Sequence, residues 1–122
     1  MGSSGKPRIH LYLDDRRPCP EGFVLAKTAE ECKQLLSECE VNILSLDFDL
    51  GYMEPTGDEV ARFLAAELNV RSFPQEIYLH TSSDYGRLIM YQMLYPHMPA
   101  GTKLHNGSMP PAVLARAAGG AS

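Results

Sequence analysis

Apolar runs with the length of β-strands alternate along the chain with stretches of helical periodicity. The sequence predicts strands at Ile9–Leu13, Phe23–Lys27, Val41–Leu46 and Glu76–Leu79. The run Val41–Leu46 is almost continuously apolar, which is typical of a strand buried on both faces of a parallel sheet. Alternation of this kind predicts an α/β domain with a mostly parallel sheet.

Helices are predicted between and after these strands. Thr28 can cap the first helix while Glu31 reaches back in a capping box. A second helix follows Gly57. Its apolar side consists of Val60, Phe63, Leu64 and Leu68. A third helix is predicted over residues 82–94, and residues 108–120 predict a short closing helix with prolines in its first turn and glycine after its end.

Two connections depart from an ordinary α/β pattern. The segment "RRPCPEG", residues 16–22, links the first two strands and is too short to hold a crossover helix. A fifth strand has its only candidate in "GTKLH", residues 101–105, whose flanking residues do not make a convincing strand. We therefore expect a sheet of four to five strands, with the first crossover helix missing or reduced.

Composition limits the classes of protein to which the chain can belong. Of its 122 residues, 44% are hydrophobic and 21% charged, as is ordinary for one globular domain. We expect residues 1–6 to be a tag and residues 7–118 to form that domain, as a monomer or weak homodimer. The formal charge of −4 argues against nucleic-acid duplexes and anionic membranes as partners. No apolar stretch approaches the roughly 20 residues of a membrane span, so we expect a cytoplasmic protein.

Polar residues follow three predicted strands where the strands end. They are Asp14 and Asp15 after the first strand, Asp47 and Asp49 after the third, and His80, Thr81 and Ser82 after the fourth. Because ligands of parallel α/β sheets bind at the carboxyl ends of the strands, we expect these residues to share one site.

The four aspartates predict a metal. Two carboxylates about 4 Å apart repel by roughly 4 kcal/mol at an effective dielectric of about 20, so crowded carboxylates need a cation or raise their pKa values. The all-oxygen donor set of Asp14, Asp15, Asp47 and Asp49 favours Mg²⁺, or Mn²⁺, over zinc. Such an ion also binds phosphate oxygens, which suggests phosphoryl chemistry.

Most of these residues can also be explained by a purely structural role. An acidic pair can form a turn, Asp49 can cap the loop that follows it, and His80 can be a hydrogen-bonded packing residue. Arg16 and Arg17 are either solvated or ion partners that hold the aspartates in place. Arg87, in the first turn of the third helix, can bind a phosphate or form a surface salt bridge.

Three longer stretches resemble cyclic-phosphate-processing receiver-like domains, a divergent branch of the response-regulator receiver superfamily: "LYLDDRRPCPEGFVLAKTAEE", "ILSLDFDLG" and "LHTSSDYGRLIM". The resemblance covers about Ile9 to Met90. It implies a three-layer, flavodoxin-like fold, in which the acidic pair and Asp47 hold Mg²⁺, Asp47 accepts phosphate and Thr81 contacts the phosphoryl group. An ordinary receiver also has a lysine that ends its fifth strand, for which Lys103 is the candidate here.

Two functions are consistent with these residues. The first is a Mg²⁺-dependent phosphoesterase acting on a small cyclic or terminal phosphate, as in a nucleotide, with Asp47 and His80 as catalytic residues. His80 would exchange a proton with the attacking water or the leaving oxygen. The residues expected to bind the phosphate are Arg16, Thr81, Ser82 and Arg87.

The second function is a non-enzymatic receiver module, phosphorylated on Asp47, that signals by binding a partner. Lys103 in the pocket would favour this second function.

Overall fold

The computed structural model describes residues 5–67 and 72–119, in which strands and helices alternate as predicted. The strands are β1 Arg8–Leu13, β2 Phe23–Ala26, β3 Glu40–Leu46, β4 Glu76–Leu79 and β5 Lys103–His105. The helices are α1 Ala29–Glu38, α2 Asp58–Ala66, α3 Asp84–Leu94 and α4 Pro111–Ala117, with a short 3₁₀ turn at Tyr95–His97. Residues 1–4 of the expected tag and Leu68 of the second predicted helix lie outside the described residues. No helix within the described ranges is long and apolar enough to cross a membrane.

The five strands form one parallel sheet in the order β2-β1-β3-β4-β5. This order confirms the predicted α/β class and places the longest strand, β3, in the centre. Helices α1, α2 and α3 pack on one face, through a core that includes Leu36, Leu64 and Leu94. Helix α4 packs on the other face, where Ala117 belongs to a smaller cluster with Ile43. The fold is therefore three-layered.

The fifth strand is present, which corrects the expectation that the residues around Lys103 make no convincing strand. Its ladder with β4 begins at the pair Glu76 and Lys103, and beyond β5 the N–H of Leu79 donates to the carbonyl of Gly107. A strand at the edge of a sheet pairs on one side only, so β5 forms without the apolar alternation of a buried strand. Its register places Lys103 at the amino end of the sheet.

The connection between β1 and β2, residues 14–22, contains no helix, which confirms the expected loss of the first crossover helix. Parallel strands ordinarily need a crossover of about a dozen residues or more. Here β2 has only 4 residues, so after β1 the chain has to run back along the sheet by only about 10 Å to reach the start of β2. Gly22, with φ at +90°, passes so close to α4 that a Cβ would lie 2.2 Å from the carbonyl oxygen of Ala117.

The amino end of α1 is capped by the two residues predicted to cap it. The N–H of Glu31 donates to the hydroxyl of Thr28 at 3.1 Å. The Glu31 carboxylate accepts from the N–H of Lys27 at 2.8 Å, one residue before the N–H that a standard capping box would use. Together the two bonds fix the entry of the chain from β2 into α1.

The loop from β3 to α2 folds back directly behind the end of β3. Gly57 donates its N–H to the carbonyl of Phe48 at 2.7 Å. A Cβ on Gly57 would lie 1.9 Å from the carbonyl oxygen of Asp47, far inside van der Waals contact. The glycine therefore allows the close approach that holds the main chain of Asp47 at the end of β3.

Replacing Gly57 with Ala should destabilise the protein, because the added methyl group clashes with main chain that has no room to move. We expect the free energy of unfolding to fall by about 1–3 kcal/mol, the usual cost of overpacking. Gly107→Ala is the matched control, since a Cβ there meets nothing within 4 Å. Urea unfolding followed by circular dichroism measures both variants, and equal stabilities would show that no such clash exists.

Candidate functional site

The carboxyl ends of the three central strands are level with one another. Their last aligned row consists of Leu13, Leu46 and Leu79. Hydrogen bonds continue the ladder past this row, because the N–H of Asp47 donates to Leu13 and that of His80 to Leu46, each at 3.0 Å. Asp14, Asp47 and His80 come directly after the row, and each offers one ligand atom within 4.8 Å of the other two. Sheet register thus brings together three residues that the sequence assigns to one site.

The carboxylate of Asp14 is buried and fully hydrogen-bonded. Its Oδ1 accepts from the N–H groups of Arg16 and Arg17, both at 2.9 Å. Its Oδ2 accepts from Arg17 Nη1 at 2.8 Å and from His80 Nε2 at 2.9 Å. A carboxylate has about four lone-pair positions, so none of them is left over. Burial alone would raise the pKa of Asp14, but these four bonds outweigh it and lower the pKa to about 2.

The carboxylate of Asp47 is also buried but has weaker partners. Its Oδ1 accepts from the N–H of Phe48 at 2.8 Å, and its Oδ2 lies 3.3 Å from Arg17 Nη1. Burial raises the pKa of Asp47, and the negative charge of Asp14 raises it further; bonds from Phe48 and from the Thr81 hydroxyl offset only part of this effect. The pKa values of the two buried aspartates are therefore shifted in opposite directions from the ordinary value: that of Asp14 is lowered and that of Asp47 is raised.

Arg17 bridges the two aspartates with a single nitrogen. Its Nη1 lies 2.8 Å from Asp14 Oδ2 and 3.3 Å from Asp47 Oδ2. Of the two interpretations left open for the paired arginines, ion pairing with the aspartates is the one that Arg17 follows. The side chain of Arg17 is nevertheless 41% exposed, since it reaches the carboxylates from the solvent side.

His80 lies beneath the aspartates with both ring nitrogens occupied. Nε2 is 2.9 Å from Asp14 Oδ2, and Nδ1 is 2.6 Å from the hydroxyl of Ser45. Because Asp14 is ionised, Nε2 must carry the proton, and Nδ1 then accepts from Ser45. The ring stacks on Tyr12 with centroids 4.3 Å apart. Burial lowers the pKa of His80 and keeps the ring neutral.

Ser45 is a site residue that sequence reasoning misses. It is fully buried in β3, with 0% of its surface exposed. The available signal was its position, as the one polar residue in the apolar run Ile43–Leu46. A buried hydroxyl needs a hydrogen-bond partner, and the ring of His80 supplies it.

An open cleft of about 740 Å³ lies above the aspartates. Its lining residues are Asp14, Asp15, Arg16, Arg17, Asp47, Asp49, Gly51, Tyr52 and Ser82. Asp15 and Asp49 thus reach the predicted site, although they lie outside the tight group formed by Asp14, Asp47 and His80. Asp49 also accepts from the N–H of Gly51 at 3.2 Å, as its loop-capping interpretation requires.

The residues after β4 divide between the cleft and the surface. The Thr81 side chain is buried and accepts from the N–H of Ser83 at 3.1 Å, while Ser82 lines the cleft. Arg87 does not line it. Its guanidinium donates to Asp84 at 2.6 Å and to the Thr81 carbonyl at 3.4 Å, which agrees with its alternative interpretation as a surface salt bridge.

Lys103 lies far from the cleft along the sheet. It opens β5 opposite Glu76, whereas His80 comes four residues later at the carboxyl edge. At about 3.3 Å per residue this separation is about 13 Å along the strand direction. Lys103 therefore does not occupy the strand-end position of the lysine in an ordinary receiver.

The two buried aspartates should affect stability in opposite directions. The contribution of Asp14 is present above about pH 4 and is lost as the pH falls through its folded-state pKa of about 2. Asp47, with its raised pKa, contributes stability at low pH that is lost as the pH rises through its folded-state pKa. At pH 7, therefore, the charge of Asp14 stabilises the fold and that of Asp47 destabilises it.

Replacing each aspartate with Asn tests, in the metal-free protein, whether the charges of Asp14 and Asp47 have opposite effects on stability. Asp14→Asn should lower the free energy of unfolding at pH 7 by about 2 kcal/mol, because an amide cannot accept four hydrogen bonds. Asp47→Asn should leave it unchanged or raise it, by an amount that shrinks toward pH 4. Urea unfolding in EDTA between pH 4 and pH 7 measures both free energies of unfolding. An equal loss of stability in the two variants at pH 7 would show that the two charges do not have opposite effects.

The sequence and the fold both place this chain among known proteins. Residues 9–96 match the family described as the cyclic-phosphate processing receiver domain. The fold is similar to that of the BeF3-activated N-terminal receiver domain of RstA from Klebsiella pneumoniae, with a TM-score of 0.54 and 18% identity, over 89% of this chain and 92% of that one. No curated protein matches the chain. The family match covers most of the chain, which therefore belongs to the cyclic-phosphate processing receiver domains.

Proposed function

We propose that the chain is a Mg²⁺- or Mn²⁺-dependent phosphoesterase that acts on a small cyclic or terminal phosphate, such as that of a nucleotide. The observation that carries this proposal is the cleft of about 740 Å³, with Asp14 and Asp47 at its base and Arg16 and Arg17 beside them. Small-molecule sites occupy about 300–1,000 Å³, and a phosphoryl group alone needs far less. The description of the family supports a cyclic phosphate as the group processed.

The donor set of the cleft fits a hard divalent cation. Asp14, Asp15 and Asp47 bring carboxylate oxygens to it, with Asp49 as a further donor, and no cysteine lines it within the described part of the chain. Oxygen donors of this kind hold Mg²⁺ or Mn²⁺. When bound, such an ion supplies charge neutralisation and polarisation of phosphate oxygens. His80 is not among the proposed ligands, because its Nε2 carries the proton donated to Asp14.

Asp47 is the residue that we propose to act on phosphorus or its attacking water. It is the more basic of the two buried aspartates, because burial raises its pKa whereas hydrogen bonds lower that of Asp14. The hydroxyls of Thr81 and Ser82 lie at the same strand end and would bind phosphate oxygens. Arg16 lines the cleft and can donate two hydrogen bonds to a phosphate.

His80 receives a positioning role in this proposal in place of the predicted proton transfer. Both of its ring nitrogens are bonded, to Asp14 and to Ser45, and the residue is 7% exposed, with its ring stacked on Tyr12. It can therefore orient the Asp14 carboxylate without touching a substrate in the cleft. Arg87, which is paired with Asp84, has no part in phosphate binding here.

One observation favours the second function, a receiver module phosphorylated on Asp47. The Thr81 hydroxyl is near enough to Asp47 to lower the pKa of its carboxyl, which would place a donor beside a phosphorylated aspartate. The position of Lys103 at the amino end of the sheet argues in the other direction, because no lysine from β5 then reaches the cleft. The esterase is the better supported of the two.

Phosphorus NMR tests the proposed activity. The protein with Mg²⁺ is incubated with 2′,3′-cyclic, 3′,5′-cyclic and terminal nucleotide phosphates, and we expect turnover of at least one class. Asp47→Asn should lose about 10²-fold or more of that rate, the usual effect of removing a base in direct contact with the reaction. Lys103→Ala is the control and should stay within about threefold, or about 0.7 kcal/mol.

A different pair of results would contradict the proposed esterase activity. No turnover of any of these phosphates, together with stoichiometric phosphorylation of Asp47 by acetyl phosphate, would contradict the esterase and support the receiver module.

A further inference from the structure

We infer that Arg17 is an exchangeable counter-ion: a divalent cation displaces its guanidinium from Asp14 and Asp47, and the freed guanidinium binds the phosphate. This inference rests on the proposed metal site. It gives Arg17 a part in phosphate binding beyond the ion pairing with the aspartates, and it predicts that metal and phosphate bind cooperatively through that residue.

The first support is the saturation of Asp14. Its two oxygens accept four hydrogen bonds, which is the full capacity of a carboxylate. A cation that binds Asp14 must therefore displace one of four donors. Metal entry at this residue cannot be a simple addition to the structure.

The second support is that only one of those donors is free to leave. Two are main-chain N–H groups of the turn at Arg16 and Arg17, which move only if the connection after β1 is remodelled. The third is the His80 ring, which is buried, stacked on Tyr12 and bonded to Ser45. The fourth is the Arg17 guanidinium, on a side chain that is 41% exposed and lines the cleft.

The third support is the position of that guanidinium between the two carboxylates. A single nitrogen, Nη1, lies 2.8 Å from Asp14 Oδ2 and 3.3 Å from Asp47 Oδ2. Asp14 and Asp47 would hold a divalent ion through carboxylate oxygens, and Arg17 Nη1 competes for the same carboxylates. Repulsion between the ion and the guanidinium would then favour release of the Arg17 side chain.

The displaced guanidinium remains in the cleft, where it can bind an anion. Two carboxylates and one guanidinium carry a net negative charge, and the arrival of a divalent ion makes the same group of side chains net positive. A cyclic phosphate, with its single negative charge, would restore neutrality, and a guanidinium matches phosphate oxygens with paired hydrogen bonds. Metal binding is thus expected to strengthen phosphate binding and, by linkage, phosphate to strengthen metal binding equally.

The variant Arg17→Gln separates the two parts of this exchange, which are metal binding at the aspartates and phosphate binding by the released guanidinium. Without phosphate, the variant should bind Mn²⁺ about tenfold more tightly than the parent protein, because no charge-assisted hydrogen bond has to break. The increase in affinity for inorganic phosphate on adding Mn²⁺ should be about tenfold smaller in the variant. Isothermal titration calorimetry measures both affinities. Arg16→Gln is the matched control for metal binding, since it removes the same charge from the same cleft while leaving the Arg17 bonds in place.

A second measurement uses the unsubstituted chain. The side-chain Nε–Hε resonance of Arg17, identified by its absence from Arg17→Gln, should shift when diamagnetic Mg²⁺ is added. It should shift again when inorganic phosphate follows.

Two further outcomes separate this inference from the proposed function. Equal Mn²⁺ affinities for Arg17→Gln and Arg16→Gln, with an Arg17 resonance that ignores Mg²⁺, would overturn the counter-ion while leaving the metal site intact. Absence of Mn²⁺ binding in the parent protein and in Arg17→Gln would overturn the metal site itself, and the exchange with it.

Discussion

The hydrogen bonding of the buried Asp14 carboxylate is the constraint on which the rest of the site depends. An ionised carboxylate that is 1% exposed would be strongly destabilised without partners. Its four donors come from the turn after β1, from the side chain of Arg17 and from His80 at the end of β4. Asp14 therefore joins the connection after β1 to β4 across the intervening strand β3. The turn at Arg16 and Arg17 and the ring of His80 are held in position by that set of bonds.

This arrangement gives two adjacent aspartates different properties. Asp14 is held ionised by three donors that stay in place, two main-chain N–H groups and the buried His80 ring, so it suits a fixed ligand or anchor. Asp47 has fewer partners and a raised pKa, so it suits reaction with a substrate. Pairs of carboxylates whose environments move their pKa values apart commonly divide catalytic roles in this way. The short connection between β1 and β2 contributes by placing two arginines at the edge of the cleft.

Much of this arrangement could be predicted from the sequence, because it follows from strand ends and register. Apolar runs that finish at Leu13, Leu46 and Leu79 place the next residues side by side once the strands are parallel. The strand at Lys103 was harder to predict, since an edge strand is held by main-chain bonds that leave little trace in the side chains.

Other features depend on side-chain geometry that no spacing specifies. Arg16 and Arg17 are equivalent in the sequence, and only the path of the turn decides which of them reaches the aspartates. The role of His80 depends in the same way on Ser45, which becomes its partner through the pairing of β3 with β4.

Carbon-13 NMR of the aspartate side-chain carboxyl groups, titrated with acid in the metal-free protein, tests the saturation of Asp14 most directly. Asp14 should titrate with a pKa of about 2, and Asp47 above the ordinary aspartate value of about 3.9. An Asp14 signal that titrates at or above that ordinary value would contradict the four-bond arrangement, and with it the proposed division of roles between the two aspartates.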